Sequence, residues 1–492
     1  MSGATAIILT LAIPLIGAAL IALCGRWPNL REGVTLVTAA LLFLTVLSLL
    51  PEVAAGGRPS AKLIEMLPGI PLAFEVEPLG MLFGLVASGL WIVNSIYSIG
   101  YMRGNDEANQ TRFYVCFALA LASTMGIAFA GNMMTLFVFY ETLTLSTYPL
   151  VTHHGDAEAK QGGRTYLGIL LSTSIGLLLL AILWTWQVAG TLDFRPGGIL
   201  TGKVSGPVLG VLLFLYMYGI GKAALMPVHR WLPAAMVAPT PVSALLHAVA
   251  VVKAGVFTVL KVVIYIFGID LLRETGQSEW LMYVAAATLL IASLVAMTKD
   301  NLKARLAYST ISQLAYIVLG AALADSWGIV GGAMHIAMHA MGKITLFFCA
   351  GAIYTAAHLT EISDMRGLGR RMPFTFGAFL IGALSIIGLP PFGGLWSKWY
   401  LALGALEAHQ IALVAVLMVS SLLNIAYLLP IPLRAFFAKS AESVSAQAVP
   451  QQGIKEAPLP CLIAIGVTAL GCLVLFFYPT PILQLLEPLV AR

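Results

Sequence analysis

The stretch that decides the fold runs from Tyr216 to Lys261: YMYGIGKAALMPVHRWLPAAMVAPTPVSALLHAVAVVKAGVFTVLK. It places Lys222 and Lys253 inside otherwise apolar segments that we expect to be helical. Between these lysines lie Pro227, Pro233, Pro239 and Pro241. An ammonium group at the centre of a bilayer costs roughly 3 kcal/mol on insertion scales, so it usually has a partner and a task. A proline-broken segment at that depth is tolerated where protein or a water-filled cavity satisfies its backbone. Together these features predict an ion path inside a membrane.

The composition is that of a polytopic membrane protein. Of 492 residues, 59% are hydrophobic and only 10% are charged, and the mean hydropathy is +0.92. Soluble globular proteins do not have that balance. The five cysteines are scattered without metal, haem or disulfide spacing, so we predict no cofactor and no metal site. The net charge of +5 is spread over short loops and does not indicate a nucleic-acid partner.

Apolar runs of about 20 residues suffice to cross a bilayer. The N-terminal run has no basic region before it and no cleavage site, so we interpret it as a retained helix. The sequence predicts about 14 such spans in an all-α protein, at 4–24, 33–50, 78–101, 113–130, 132–151, 165–188, 206–226, 242–267, 280–298, 304–323, 329–356, 374–399, 410–434 and 458–479.

The charges in the loops predict the orientation. Sixteen lysines and arginines fall in odd-numbered connections, and six fall in even-numbered connections or the C-terminal tail. The positive-inside rule therefore places the odd loops in the cytoplasm and both termini outside the inner (plasma) membrane. The connection 435–457 reads as a flexible cytoplasmic link.

The middle of the chain indicates a duplication. The segments at 206–226 and 374–399 each join an intramembrane lysine, Lys222 or Lys398, to nearby prolines, and they lie five helices apart. An odd repeat length inverts the topology, and paired interrupted segments in inverted halves are typical of a transport site. The expected domains are 1–111 (N-terminal helices), 112–270 (first repeat), 271–436 (second repeat) and 437–492 (link and last helix).

Glu141, in MTLFVFYETLTLSTYPL, is the carboxylate that we expect well inside a helix. One interpretation is a counter-ion for a buried lysine, and the other is a glutamate near the interface that reaches water. Burial favours the neutral amine of a lysine, and a nearby carboxylate favours the ammonium. Glu141 with Lys222 and Lys253 would therefore form a switchable proton site. The alternative is a static ion pair that fixes helix packing.

The segment HIAMHAMGK places His335, His339 and Lys343 at i, i+4 and i+8, on one face of a helix. The steps rise about 6 Å each, which one or two waters can bridge. Histidine titrates near neutrality, so this row suits proton transfer. The alternative is histidines that hydrogen-bond across helices. His247 precedes Lys253 by six residues and lies on a different face, so it can serve another neighbour.

Lys398, in GLPPFGGLWSKWY, follows a Pro-Pro-Phe-Gly-Gly break. It is either a terminal site that exchanges protons with one aqueous side or a lysine that snorkels from a helix end. The adjacent Trp396 and Trp399 can be interfacial anchors. One loop contains the group His153, His154, Asp156 and Glu158, which lacks tetrahedral metal spacing and reads as a solvated loop.

Four stretches carry a resemblance to a known family: WLPAAMVAPTPVSALLHAVAVVKAG, DNLKARLAYSTISQLAY, HIAMHAMGK and GLPPFGGLWSK. They resemble the antiporter-like proton-translocating family, which contains large membrane subunits of complex I, membrane-bound hydrogenases and Mrp-type cation/proton antiporters. The similarity covers about residues 75–435. It implies a 14-helix core with inverted five-helix repeats (helices 4–8 and 9–13), broken helices 7 and 12, and a half-channel in each repeat.

The resemblance also implies a role for each buried polar residue. Glu141 matches the family's helix-5 glutamate, Lys222 its helix-7 lysine and Lys253 its helix-8 connecting lysine. Lys343 with its histidines matches the helix-11 relay, and Lys398 matches the helix-12 exit residue. ISDMRGLGRRMP is similar to the D-type subunits of Mrp antiporters. The chain is too short for the long lateral helix of the largest members, and Lys398 replaces a glutamate expected in one complex I subunit.

Three functional classes follow. The first is a proton-conducting subunit of a multisubunit Na⁺ (or other monovalent cation)/proton antiporter, a transporter component whose partners are other membrane subunits and the lipid bilayer. The second is the pumping module of a redox-driven complex. The third is a self-sufficient exchanger or a catalytic quinone oxidoreductase, which the lack of cofactor ligands disfavours. The genes adjacent to this one would separate the first two.

Overall fold

The computed structural model describes residues 2–438 and 453–490, and these are predominantly α-helical. The α-helices are α1 (Gly3–Leu23), α2 (Pro28–Leu47), α3 (Leu50–Ala54), α4 (Pro78–Gly104), α5 (Gln110–Ala128), α6 (Met133–Val151), α7 (Ala157–Thr173), α8 (Leu179–Ala189), α9 (Pro207–Gly219), α10 (Trp231–Ala234), α11 (Thr240–Ala244), α12 (Val251–Val262), α13 (Ile269–Thr275), α14 (Glu279–Thr298), α15 (Leu302–Ala322), α16 (Ser326–Ala357), α17 (Pro373–Ile387), α18 (Gly394–Glu407), α19 (Ile411–Leu428), α20 (Pro430–Phe437), α21 (Leu459–Phe477) and α22 (Thr480–Leu486). The predicted link 435–457 lies largely outside the described residues.

Ten stretches of the described chain are helical, long and apolar enough to cross a membrane. This confirms a multi-pass membrane protein. Two helices that carry more polar residues, α6 and α15, and two shorter ones, α9 and α17, also lie at predicted spans. Helix starts follow local chemistry, since Glu77, Asn132 and Asp325 accept backbone N–H bonds at the first turns of α4, α6 and α16.

One feature contradicts the prediction of an all-α chain. The connection after α3 forms an antiparallel hairpin of β1 (Ser60–Leu67) and β2 (Ile70–Glu75). Its turn contains Pro68 and Gly69, and Gly69 has a φ of +79°, which favours glycine. The Pro-Gly dipeptide is a turn signal in the sequence, but the strands flanking it are too irregular in their apolar pattern to be recognised.

Helical structure is interrupted at both of the proline-containing stretches that the sequence predicts to be broken. After α9 the chain passes through short helical turns and α10 before α11 begins at Thr240. After α17 it is irregular from Gly388 to Gly393, and Gly388 adopts a left-handed conformation with φ of +90°. Lys222 lies in the first interruption, and Lys398 lies one turn after the second.

The connections meet at two opposite ends of the bundle. Odd-numbered ones contact each other, since Asn301 pairs with Glu361 and Lys303 Nζ donates to Ala238 O at 2.6 Å. Even-numbered ones do the same, with bridges from Phe74 to Ala130 and from Asn132 to Asp193, and a hydrogen bond from Phe194 N to Gly131 O at 3.1 Å. The structure therefore brings connections of the same parity together, as the charge pattern predicts.

The centre of the protein is formed by the stretch Thr240–Phe267 and by α16, which are the most completely buried of the candidate spans. The stretch contains α11 and α12 together with two π-helical segments, Leu245–Val249 and Val263–Phe267. π-Helical turns inside helices are frequently functional. The predicted polar residues of the membrane interior lie on these central elements and around them.

Candidate functional site

Lys222 is fully buried in the short helical turn after α9. Its Nζ donates to Tyr140 O at 2.8 Å and to Thr144 Oγ1 at 2.6 Å, both on α6. The same nitrogen lies 3.2 Å from the centroid of the Tyr140 ring, an arrangement that stabilises an ammonium group. Because the helix is interrupted here, the side chain of Lys222 reaches neutral hydrogen-bond acceptors on α6.

Glu141 directly follows Tyr140 on α6, and both of its carboxylate oxygens are buried without a hydrogen-bond partner in the described structure. Among the described residues no ion pair joins it to Lys222. The two side chains are not in direct contact, because hydroxyl and carbonyl groups occupy the positions around the amine, and the counter-ion role of Glu141 stays a prediction. Glu141 lies beside the exposed residues Val138 and Leu145 on α6, at the periphery of the bundle.

Lys253 and His339 are in direct contact. Lys253, on α12, and His339, on α16, are both buried, and Nζ lies 2.7 Å from the imidazole Nδ1. The other ring nitrogen of His339, Nε2, has no partner in the described structure. This hydrogen bond can pass a proton between the central helices, with the tautomer of His339 determining which nitrogen donates.

His335 lies one turn before His339 on α16, and the two ring centroids are 5.6 Å apart. This confirms that the two histidines share a face. Nδ1 of His335 is 2.8 Å from Ser397 Oγ on α18, and Nε2 is 3.2 Å from Gln313 Oε1 on α15. His335 thus connects α16 to the helices on either side.

Lys343 lies on the same face of α16 and is fully buried. Its Nζ donates to Ser309 Oγ at 2.6 Å and to Leu306 O at 3.3 Å, both on α15. Ser309 also accepts a hydrogen bond from Tyr427 OH, on α19, at 2.9 Å. Lys343, Ser309 and Tyr427 therefore form a chain of hydrogen bonds that leads from the histidines of α16 to α19.

Lys398 is half-buried on α18, and its Nζ donates to Ile387 O at 3.0 Å and Ser421 Oγ at 3.3 Å. The amine lies 4.8 Å from the centroid of the Tyr316 ring, which in turn is 5.6 Å from the His335 ring. Tyr316 therefore lies between Lys398 and the histidines. Ile387 O is a carbonyl freed by the end of α17, so the break itself supplies a partner for the lysine.

His247 lies in the π-helical segment Leu245–Val249, and its ring packs at a tilt against Phe347 of α16, with ring centroids 4.5 Å apart. Both of its ring nitrogens are buried without hydrogen-bond partners in the described part of the chain. It is separate from the Lys253–His339 contact, which agrees with the expectation that it faces a different neighbour. Unpaired polar groups at this depth indicate positions for water.

Sequence reasoning missed two groups of residues. The first is Ser309, Gln313 and Tyr316 on α15, which touch Lys343, His335 and Lys398 respectively. Their spacing of four and three residues within DNLKARLAYSTISQLAY is that of one helix face, and this signal could have identified them.

The second missed group is a buried ion pair near the even-loop end. Lys261 Nζ lies 3.3 Å from Glu77 Oε1, and both side chains are nearly inaccessible, at 1% and 3% exposure. Lys261 follows Lys253 by two helical turns on α12, which was a visible signal. Glu77 precedes a proline at a helix start, so the sequence alone suggests only a capping residue.

A cavity of about 350 Å³ opens at the odd-loop end, between residues of five different connections. Glu107, His154, Asp156 and Glu158 line it together with Lys303 and Thr240. Burial raises the pKa of Glu107, while His154 and Lys303 act in the opposite direction. His154 and His153 approach Glu107 Oε2 to 3.6 and 3.8 Å. The loop that reads as solvated in the sequence therefore lines this cavity.

The row as a whole can carry protons. Its members are amines, imidazoles, hydroxyls and one peripheral carboxylate, each able to exchange a proton through a hydrogen bond or one water. Among the described residues, no three His, Cys, Asp or Glu side chains are grouped as metal ligands. Hydrogen bonds join Lys222 to α6, α12 to α16, and α16 to α18. The turn that carries Lys222 packs closely against α12 at Gly255, so the row runs sideways through the bundle.

Known proteins share this sequence pattern. Residues 130–424 match the family described as NADH:quinone oxidoreductase/Mrp antiporter, transmembrane region. The N subunit of the NADH-quinone oxidoreductase of Desulforudis audaxviator is 34% identical over 395 residues, which are 79% of this chain and 75% of that protein. The A/B subunit of a probable K⁺/H⁺ antiporter of Rhizobium meliloti is 31% identical, and the match covers 76% of this chain but only 37% of that protein.

Solved structures share the fold over nearly the whole chain. A chain of the Mrp complex from a Dietzia species superposes with a TM-score of 0.88 at 22% identity, covering 100% of this chain and 97% of that one. A chain of an archaeal membrane-bound sulfane sulfur reductase superposes with a TM-score of 0.84 at 24% identity, covering 98% and 96%. The family match spans more than half of the sequence, and the curated relatives agree with it. The chain therefore belongs to the NADH:quinone oxidoreductase/Mrp antiporter family of membrane subunits.

Proposed function

We propose that this chain is the D-type, proton-translocating subunit of a multisubunit Na⁺ (or other monovalent cation)/proton antiporter. The observation that carries the proposal is the Lys253–His339 contact at 2.7 Å, which joins buried titratable groups of two central helices. Burying titratable groups without carboxylate partners does not favour the stability of the fold. It does suit groups that must gain and lose protons.

The architecture that we propose has 14 spans, with inverted repeats in 112–270 and 271–436 between the N-terminal helices in 1–111 and the final segment 437–492. Its support is the pair of interrupted helices, each with a lysine at or just after the break. Both termini lie outside the cytoplasm in this proposal, because the more basic odd connections gather at one end of the bundle.

Each residue of the row has a proposed part in proton transfer. Glu141 modulates Lys222 through the charge of its carboxylate, which is close enough for a Coulomb interaction without a direct bond. Lys222 and Lys253 hold the proton in the first repeat, and His339 and His335 pass it across α16. Lys398 exchanges it near the second break, with Lys343 and its hydroxyl chain as a branch.

Access from the odd-loop side runs through the cavity beside α11. Thr240 lines the cavity, and Ser243 and His247 follow at three and seven residues, on one helical face that points inward. Ser243 Oγ and both nitrogens of His247 are buried without partners in the described structure, as is Asn94 Oδ1 on α4. Such orphan groups in a polar row indicate ordered water. We therefore place a water-filled half-channel here, with His247 at its inner end.

The alternative is a pumping subunit of a redox-driven complex. It has specific support, since the relatives include the N and L subunits of oxidoreductases and the archaeal reductase chain superposes over 98% of this one. The antiporter assignment rests on the similarity of ISDMRGLGRRMP to the D-type subunits and on the full-length superposition with an Mrp complex chain. In either complex, the partners are other membrane subunits.

The two functions differ in what drives the protons. The test is to purify the whole complex, reconstitute it in liposomes with an internal pH dye, and add NaCl or KCl without electron donors. We expect a cation pulse alone to move protons, and Lys253→Met to abolish the movement. Proton movement that requires an electron donor and acceptor and ignores the cation pulse would favour the redox-driven alternative.

A further inference from the structure

We propose that Lys261 and Glu77 form a proton exchange site that connects Lys253 with the even-loop side of the membrane. This inference rests on the proposed function, because it assumes that Lys253 carries protons. It adds an exchange with that side within the first repeat itself, and in this proposal both this site and the lateral contact through His339 are needed in every transport cycle.

The pair is built for exchange within one hydrogen bond. Lys261 Nζ is 3.3 Å from Glu77 Oε1 and also donates to Ala130 O at 3.0 Å. Glu77 Oε2 accepts from Tyr265 OH at 2.9 Å. When the ammonium of Lys261 gives its proton to Glu77, a neutral amine and a neutral acid remain. Both forms are therefore compatible with a site from which water is excluded.

Lys261 shares a helix face with Lys253. The two residues are eight positions apart on α12, which corresponds to a rise of about 12 Å. Phe257 lies halfway between them, and its ring centroid is 5.3 Å from Lys261 Nζ. In the proposed route this ring stands between the two amines and interrupts a chain of waters. Phe257 is therefore the gate of the proposed route, and a proton passes from Lys253 to Lys261 when its ring turns aside.

The outer end of the route reaches the even-loop surface. Tyr265 contacts Glu77 on one side, and the guanidinium of Arg58 lies 5.9 Å from its ring centroid on the other. Arg58 pairs with Glu75 at 3.1 Å, and both of these side chains are about one-third exposed. From the acid form of Glu77 the proton leaves past Tyr265 toward this exposed pair. The amine of Lys261 then takes the next proton from Lys253.

The alternative is a static latch, meaning an ion pair that only holds α4 and α12 together. It would make the same contacts. However, burying an ion pair is often no better for stability than a well-packed apolar pair. Glu77 would cap α4 without Lys261, since it already accepts from Leu79 N and Gly80 N at 2.7 and 2.8 Å. The lysine is thus unnecessary for the cap, whereas proton exchange with Lys253 accounts for its position on α12.

The substitution Lys261→Arg separates exchange from latching. Arginine keeps the positive charge and the ion pair with Glu77, but it does not release its proton in proteins. In the purified, reconstituted complex we expect at least about a tenfold loss of cation-driven proton flux per assembled complex. Lys62→Arg, on exposed β1, is the matched control and should transport like the wild type. Flux at the wild-type rate in Lys261→Arg would show a latch and overturn the proposal.

A second variant covers the case in which arginine does not fit the buried site. Lys261→Met with Glu77→Gln replaces the ion pair by a neutral one, while the glutamine oxygen can still cap α4. Loss of flux in the assembled double variant supports the route, and wild-type flux overturns it. Lys253→Met serves as the reference. If Lys253→Met transports normally, the proposed function itself fails. If Lys253→Met loses transport but the Lys261 variants transport normally, this inference alone fails.

Discussion

Lys253 Nζ lies 2.7 Å from Nδ1 of His339. The two residues are 86 positions apart in the chain, and their contact joins α12 to α16. Neither residue has a carboxylate partner among the described residues. The hydrogen bond is stable only when one of the two groups is a donor and the other an acceptor, so their protonation states depend on each other. That dependence is the physical basis of a relay.

The hydrogen bond between Lys222 and Thr144 gives a first prediction. Thr144→Val removes one of the two acceptors of the amine while keeping the shape of the side chain. A hydrogen bond to a charged group contributes roughly 1.5–3 kcal/mol, so we expect transport to fall about tenfold or more in fully assembled complexes. Thr142→Val is the matched control, because the exposed hydroxyl of Thr142 bonds only within its own helix, to Val138 O. Equal flux in the two variants would exclude a role for Thr144.

Glu141 gives a second prediction. Because its carboxylate oxygens have no partners in the described structure, Glu141→Gln leaves no other group unpaired, and we expect normal assembly. Cation-driven proton flux should nevertheless be abolished, because the amide cannot change its charge near Lys222. Glu52→Gln, on the exposed helix α3, should transport normally. A flux above about half of the wild-type rate in Glu141→Gln would remove Glu141 from the path.

Much of this site follows from sequence periodicity. The register of His335, His339 and Lys343 on one helix face could be predicted because spacing along a helix determines the face. The interruptions at Lys222 and before Lys398 could be predicted because proline and glycine break helices. These are local properties of the chain.

The partners of the buried amines could not be predicted in the same way. Lys261 and Glu77 lie 184 positions apart, and Lys222 and Thr144 lie 78 apart, so only the packing of the bundle brings them together. For Lys222, a carboxylate at Glu141 was the obvious expectation, but the direction of the α6 side chains presents Thr144 and a carbonyl to the amine instead. The spacing of residues along the sequence does not reveal long-range contacts of this kind.

His153 gives a prediction about pH. Burial lowers its pKa from the ordinary 6.5 to about 4, with His154 and Arg112 acting in the same direction. Between these values the unfolded chain takes up a proton that the folded protein does not, so stability falls as the pH drops from 6.5 toward 4, by at most about 3 kcal/mol. The backbone of Ala108 acts in the opposite direction and offsets part of this loss.

The measurement is thermal unfolding of the purified complex across that pH range. We expect His153→Gln to lose less stability on acidification than the wild type. His409→Asn, at an exposed position with φ of +56° that asparagine tolerates, controls for the loss of a surface histidine. Parallel pH profiles for the wild type and His153→Gln would show that His153 is not held neutral by burial.

The central claim is that protons pass sideways through the Lys253–His339 contact, and His339→Gln tests it most directly. Glutamine can still accept a hydrogen bond from Lys253, so packing and assembly should be retained, but it does not titrate. The measurement is cation-driven proton flux in liposomes containing equal amounts of purified complex. We predict that His339→Gln loses at least about nine-tenths of the wild-type flux. Flux at the wild-type rate would contradict the lateral relay and leave only Glu141, Lys222 and their local surroundings as a path.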